Sequence, residues 1–325
     1  MKALVCREFG STKDLELQER DNLEPGPGQV LIDVKAAGVN FPDILMVQGK
    51  YQFKPQLPFI AGTEVSGVVT EIGEGVTTRK VGDEVVGMVQ IGGFATQVVA
   101  SEFTTFLKGD SMTFEQAAGF SMTYGTSYFA LKQRAKIQPG ETLLVLGAAG
   151  GVGIACIQIA KAMGAQVIAA ASSEDKLDFA CEAGADFRIN YSNENLKEKV
   201  KELTEGKGAD VVYDPVGGDF SEQAFRSIAW DGRFLVIGFA SGPIPKMPLN
   251  LALLKGASLV GVFWGAWTGR EPMESQKNFK ELIGMIDSGK FTPLVTEVFS
   301  LEDHGSAFGS IAERRAKGKV ILSMA

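Results

Sequence analysis

The stretch from Leu143 to Lys176, LLVLGAAGGVGIACIQIAKAMGAQVIAAASSEDK, constrains the fold more tightly than any other. A short apolar run, Leu143 to Leu146, breaks into Gly150-Gly151-x-Gly153, resumes as an amphipathic segment and ends in a second apolar run, Val167 to Ala171. The first run is too short for a helix and reads as a buried strand. Glycines after it permit a tight turn over which an anion can approach the backbone, and the next helix points free N–H groups at that anion. Strand, turn, helix and strand form a βαβ unit with its glycines where a dinucleotide needs them.

Two readings compete with this one. No Asp, Glu, Lys or Arg lies between Leu143 and Ala160, enough to reach the roughly 18-residue length of a membrane span. The GAAGGVG core and charged flanks instead favour a strand that turns into a helix. An ordinary βα turn also uses glycine for geometry, and Ala148 stands where GxGxxG has its first glycine, so context must decide.

With 325 residues the chain is long enough for about two domains. A net charge of -7 offers no general attraction for nucleic acid or anionic lipid. Met1-Lys2 leads directly into a short alternating stretch with Arg7 and Glu8, so no apolar signal region is read there and a cytoplasmic location is expected. Cys6, Cys156 and Cys181 are widely spaced within apolar patterns, as reduced buried thiols would be. One histidine and three cysteines exclude a four-cysteine zinc site, and no metal is expected. His304 follows Ser300 and Asp303, whose spacing suits a helix entry, and receives no role.

Residues 1 to about 120 read as strands over Lys2–Arg7, Gln29–Val39, Glu64–Ile72, Asp83–Val89 and Phe94–Ala100, punctuated by glycine and proline. Between them, residues 40–59 carry Asn40, Asp43, Gln48, Tyr51 and Phe53, which fit either a functional loop or a surface loop with packing aromatics. A helix is expected from Thr113, with Gln116 reaching back to its cap, through SMTYGTSYFALK to Pro139. Beyond Lys176 helices and strands alternate: helix Leu177–Ala183, strand Phe187–Asn190, helix Leu196–Leu203, strand Val211–Asp214, a helix to Trp230, then strands Phe234–Ile237 and Ser258–Phe263. Six strands with helices between most of them match a doubly wound dinucleotide fold. The tail, helix Met273–Ser288, strand Val295–Phe299, a last helix and strand Lys319–Ser323, is expected to return to the first sheet.

An NAD site usually places a carboxylate about 20 residues past the glycines, on the ribose 2′-hydroxyl. Here the position reads Ala170-Ala171-Ser172-Ser173, with Lys176 following. Serine hydroxyls can donate to a 2′-phosphate and lysine can pair with its charge, so NADPH is expected over NADH. Ser172 or Ser173 as a plain helix cap and Lys176 as a solvated side chain form the other reading.

Several motifs in fixed order carry a resemblance over nearly the whole chain: GVNFPDILMVQGKY, LPFIAGTEVSGVV, VGDEVVG, AAGGVG, INY, DPVGG and RRAKGKVIL. The sequence resembles the medium-chain dehydrogenase/reductases, and among them the zinc-independent, zeta-crystallin-like quinone oxidoreductases. That resemblance implies an α/β fold with a discontinuous GroES-like β-rich domain, residues 1–122 and 268–325, around a Rossmann domain, residues 123–267. In the zinc enzymes the AGTEVSG region holds a metal-binding GHE, where this chain has Thr63 and keeps Glu64.

The resemblance also implies that Asn40 and Thr126 lie near the nicotinamide and substrate, with Tyr51 a further catalytic candidate or else a packing aromatic, and that cofactor contacts come from Ala149, Gly150, Gly151 and Val152 at the turn. Ser172, Ser173, Lys176 and Tyr191 would surround the 2′-phosphate and adenosine, joined by Arg315 from the tail, while Val216, Gly238, Phe239, Phe263 and Trp264 would complete the cofactor set. Leu45, where several quinone reductases have tyrosine, and Tyr124-Gly125-Thr126 in place of Gly-Leu-Thr depart from the pattern near the substrate.

The expected activity is NADPH-dependent, metal-free hydride transfer to a quinone or an α,β-unsaturated carbonyl, with hydrogen-bond donors stabilising the developing oxyanion. An acryloyl-CoA or enoyl-thioester reductase would use Lys50, Lys54, Arg270 and Lys277 on the CoA phosphates. A catalytically silent NADPH-binding redox sensor is the alternative outside enzymes. The apolar stretch Pro243 to Phe263 predicts an edge that must be covered, and family members join such edges, so a homodimer is expected.

Overall fold

The computed structural model describes residues 1–324 and divides them into two compact units, residues 1–122 with 279–324 and residues 123–278. The first crossing lies in helix Ser121–Phe129 and the second in helix Pro272–Asp287, rather than at residue 268.

The first unit opens with strands β1 (Lys2–Cys6), β2 (Glu16–Glu19) and β3 (Gln29–Val39), followed by helix α1 (Phe41–Val47). Strands β4 (Phe59–Ile60), β5 (Glu64–Ile72), β6 (Glu84–Met88), β7 (Gln97–Ser101) and β8 (Thr105–Leu107) precede helix α2 (Phe114–Ala118). Thr113 caps α2 and Gln116 returns the bond, as the spacing predicts. The expected single helix ends there, however, and a new one, α3 (Ser121–Phe129), starts after Gly119 and Phe120. A Cβ on Gly119 would lie 2.6 Å from Lys319 Cγ, and the backbone N–H of Met122 donates to Glu64 Oε2 at 2.8 Å. The buried carboxylate therefore supplies the cap of a fresh helix, and the chain must bend to reach it.

The second unit continues with β9 (Thr142–Leu146), α4 (Gly151–Ala162), β10 (Gln166–Ala171), α5 (Glu174–Glu182), β11 (Phe187–Asn190), α6 (Leu196–Leu203) and β12 (Ala209–Asp214). Then come α7 (Asp219–Arg226), β13 (Ile228–Val236), α8 (Asn250–Lys255), β14 (Ser258–Gly261), α9 (Trp264–Arg270) and α10 (Pro272–Asp287). Trp230, expected at the end of a helix, lies in β13, because α7 stops at Arg226 and the chain enters the sheet at Ile228. Among the described residues the sheet has six parallel strands in the order β11-β10-β9-β12-β13-β14. This doubly wound order places a reversal between β9 and β12. Leu143 to Leu146 and Val167 to Ala170 are fully buried, which explains why they read as unbroken apolar runs.

The tail returns to the first unit as β15 (Val295–Ser300), α11 (His304–Ala312) and β16 (Lys319–Ser323). β16 runs antiparallel to β3, pairing Val320 with Val39 and Ser323 with Ala36, so both ends of the chain share one sheet. Cys6 and Cys156 are buried free thiols and Cys181 is half-buried. Among the described residues no helix is long and apolar enough to cross a membrane.

Candidate cofactor and catalytic sites

In the second unit the glycine turn has the form an anion requires. Gly150 is the N-cap of α4, in extended conformation and without a side-chain cap bond, so the first-turn N–H groups of a 12-residue helix meet no side chain there. A Cβ on Gly150 would find nothing nearer than the Gly147 carbonyl oxygen at 3.5 Å, which leaves the cradle open. At Gly153 a Cβ would lie 2.5 Å from Gly147 O and 2.7 Å from Ala148 O, so this glycine lets the helix close on its own turn. The missing first glycine has a geometric reason: Gly147, one residue earlier, takes the left-handed conformation at φ 58°. Ala148 is fully buried and donates its N–H to Ala170 O at 3.1 Å, needing no such freedom.

Ala149, Gly150, Gly151 and Val152 thus stand together at the C-terminal end of β9, with Val152 O accepting from Ser127 Oγ at 3.1 Å. At the neighbouring strand ends, Asp214 Oδ1 accepts from the N–H groups of Val216 at 2.8 Å and Gly217 at 2.9 Å, and Oδ2 accepts from Ser221 Oγ at 2.5 Å. Burial pushes the Asp214 carboxyl up, offset by these three donors. The turn brings Val216 beside Gly147 and packs Gly217 against Phe239, while Gly238 N donates to Asp214 O at 3.3 Å.

A second corner forms at the ends of β10 and β11. Tyr191 N donates to Ala171 O at 3.1 Å and Ser192 Oγ to Ser172 O at 2.9 Å, fastening Tyr191 beside Ser172, Ser173 and the first turn of α5, which carries Lys176. Tyr191 packs on Phe220 with ring centroids 4.2 Å apart. Ser173 is the α5 N-cap residue, and its hydroxyl donates to Asp175 rather than capping the backbone. Glu174 Oε1 accepts from Asn190 Nδ2 at 2.7 Å. Both first-turn carboxylates are therefore engaged by the protein, and β10 ends in alanine. The Ser172 hydroxyl, Lys176 and the first-turn N–H groups that Ser173 leaves uncapped fit a phosphorylated dinucleotide.

Phe263 is exposed at the start of α9, whereas Trp264 is buried. A Cβ on Gly125 would come 2.5 Å from Trp264 Cζ2, so the indole fills the place of the Gly125 side chain on α3. This pairing accounts for the unusual Tyr124-Gly125-Thr126. Thr126 is half-buried on α3, with no side-chain hydrogen bond among the described residues.

In the first unit Asn40 sits at the entrance to α1, 6% exposed. Its Nδ2 donates to Glu64 Oε1 at 2.8 Å and to Gly38 O at 3.4 Å, and its Oδ1 accepts from Lys319 Nζ at 2.6 Å. Lys319 also donates to Glu64 Oε1, forming a buried ion pair. Asp43 Oδ2 accepts from Asn40 N at 2.8 Å and Asp43 Oδ1 from Thr63 Oγ1 at 3.1 Å. Burial raises the Asp43 pKa to about 7, assisted by the Glu64 charge and opposed by the Asn40 N–H, Lys319 and Thr63. Tyr51 is half-buried against the core, and burial followed by the Asp43 charge pushes its phenol up, keeping it a neutral donor. Arg315 lies in this unit, exposed and paired with Glu313 at 2.8 Å.

The Asp43–Glu64–Lys319 cluster is the part that sequence reasoning missed. Its one local sign was a charged residue at the edge of an apolar strand, as in AGTEVSGVV and GKVIL. Among the described residues no group of three His, Cys, Asp or Glu side chains is arranged to hold a metal ion.

Residues 26–120 match the family model of the alcohol dehydrogenase GroES-like domain, and residues 151–288 that of the zinc-binding dehydrogenases. The chain is 41% identical over 326 residues to the quinone oxidoreductase-like protein 2 homolog of Nematostella vectensis, covering 99% of this chain and 88% of that protein. It is 35% identical to a Pseudomonas aeruginosa quinone oxidoreductase, covering 99% of each. The Escherichia coli quinone oxidoreductase solved in complex with NADPH superposes with a TM-score of 0.91 at 30% identity, over 99% of this chain and 100% of that one.

Proposed function

This chain belongs to the quinone oxidoreductase family of the medium-chain dehydrogenase/reductases, and from that membership we propose that it is an NADPH-dependent reductase of quinones or α,β-unsaturated carbonyl compounds. The observation that carries the cofactor choice is the corner at Ser172, Ser173, Lys176 and Tyr191, where β10 ends in alanine rather than a carboxylate and Glu174 is held by Asn190. Bound NADPH supplies the hydride.

Ala149 to Val152 receive the pyrophosphate at the open N-terminus of α4, and Val216, Gly238, Phe239, Phe263 and Trp264 complete the dinucleotide site. Tyr51 in the first unit and Thr126 in the second each bring a hydroxyl without a hydrogen-bond partner among the described residues, the kind of donor that stabilises an oxygen on which charge develops. Asn40 is held by Glu64 and Lys319, and its long 3.4 Å bond to Gly38 O is the one a substrate oxygen can replace. Hydride adds to the electrophilic carbon, and a proton from Tyr51 or water completes the two-electron reduction.

The reaction uses no metal: Thr63 stands where the zinc enzymes have histidine, and Lys319 already satisfies Glu64. Exhaustive chelation is expected to leave turnover unchanged. The decisive experiment measures oxidation of NADPH and NADH against quinones, enals and CoA thioesters. Preference for NADPH with quinone or enal turnover supports the proposal. Turnover of thioesters alone would make it an enoyl-thioester reductase, and NADPH binding without any turnover a redox sensor.

A further inference from the structure

The second unit holds a cavity at the opposite end of its sheet from the dinucleotide turn. Its volume is about 200 Å³, and α6, α7 and α8 supply Lys197, Lys201, Arg226 and Lys255 around an apolar floor of Phe225 and Leu251. Lys255 Nζ donates to the carbonyl of Ile228, the first residue of β13, at 3.0 Å, whereas the glycine turn follows the last residue of β9. No carboxylate lines the cavity.

The cations are not balanced locally. Among the described residues neither Lys197 nor Lys201 makes an ion pair or a side-chain hydrogen bond, although α6 also carries Glu198 and Glu202. Arg226 pairs with Glu222 one turn back on α7, at 2.6 Å, and keeps its remaining guanidinium donors. Lys255 is half-buried, and burial first, then the charges of Lys201 and Lys197, push its ammonium down. Like charges gathered around a concave, partly apolar surface raise the local concentration of anions and gain most from a ligand that neutralises several at once. Lysine serves such a ligand as a point charge and arginine as a planar fork.

We propose that this cavity binds a phosphoryl group, held by Lys197, Lys201, Arg226 and Lys255, with any apolar substituent resting on Phe225 and Leu251. The volume lies below the roughly 300–1,000 Å³ of sites for drug-sized ligands, which fits free phosphate or a small phosphomonoester rather than a whole nucleotide.

Calorimetric titration of the full chain at constant ionic strength tests this, with inorganic phosphate and phenyl phosphate as probes and chloride as the blank. Saturable binding is expected, weakened at least about tenfold in the double variant Lys197→Gln/Lys201→Gln and likewise in Arg226→Gln. In Lys176→Gln, which alters the other anion corner, binding should persist. Tighter binding of phenyl phosphate identifies a phosphomonoester as the ligand, and equal affinity identifies free phosphate. Absence of saturable binding, or binding lost in Lys176→Gln and retained in the double and Arg226→Gln variants, would overturn the proposal. In chloride the double variant should melt no lower than the parent, because it relieves the repulsion on Lys255.

Discussion

Asp43 sits in surroundings that disfavour its charge, and the consequence is a pH dependence of stability whose sign can be worked out. Its folded-state pKa of about 7 lies above the roughly 3.9 of an unfolded aspartate. The folded chain therefore holds the extra proton between those values, and stability is greatest below the lower one and declines as pH rises toward the higher. At about 1.4 kcal/mol per pKa unit the effect is on the order of a few kcal/mol. Asp43→Asn keeps an oxygen for the Asn40 N–H but never ionises, so urea unfolding at about pH 5 and about pH 8 should differ in the parent and much less in the variant. Equal slopes would show that Asp43 is not the group responsible. On the cofactor contacts proposed above, Lys176→Gln removes one charge-assisted bond to the 2′-phosphate, of about 1.5–3 kcal/mol, so KM for NADPH should rise about tenfold or more. KM for NADH should stay as it was, since NADH has no 2′-phosphate.

At the scale of elements, what the sequence reveals follows how locally each element is determined. Thr113 and Gln116 cap α2 within one turn, and β9 and β10 are buried on both faces, so their patterns can be read directly. The break between α2 and α3 is not local: the carboxylate that caps α3 is Glu64, 58 residues away, and its ion-pair partner Lys319 lies 255 residues further along. The turn from β10 into α5 was legible because Ser172 to Lys176 are consecutive, whereas the buried cluster required the tail strand β16 to pair with β3. Gly125 belongs to the second kind, since only Trp264 explains it. Gly125→Ala would gain roughly 0.5–1 kcal/mol of helix propensity. It would also force a methyl to 2.5 Å from the indole, an overpacking that typically costs about 1–3 kcal/mol. Net destabilisation is expected in denaturant unfolding. In a Trp264→Leu background the same alanine should become neutral or stabilising, and an additive double-mutant cycle would refute the packing account.

For the whole molecule the question is what covers β14. Among the described residues this strand pairs with β13 alone, which leaves its other edge a row of open backbone donors and acceptors. Around it Leu253 is 81% exposed, Leu249 74% and Leu259, in the strand itself, 39%, a concentration of apolar surface that a soluble monomer rarely tolerates. A second copy meeting the first edge to edge would satisfy the backbone and bury these side chains in one step, and a stable pair needs about 1,000 Å² or more of such surface. Sedimentation should therefore give about twice the 34.7 kDa chain mass. Leu253→Lys combined with Leu259→Lys places charges on that face and should shift the mass to the monomer value. Melting of the parent alone should depend on protein concentration, because dissociation is then coupled to unfolding. A parent that sediments as a monomer would remove the second copy as the cover of β14.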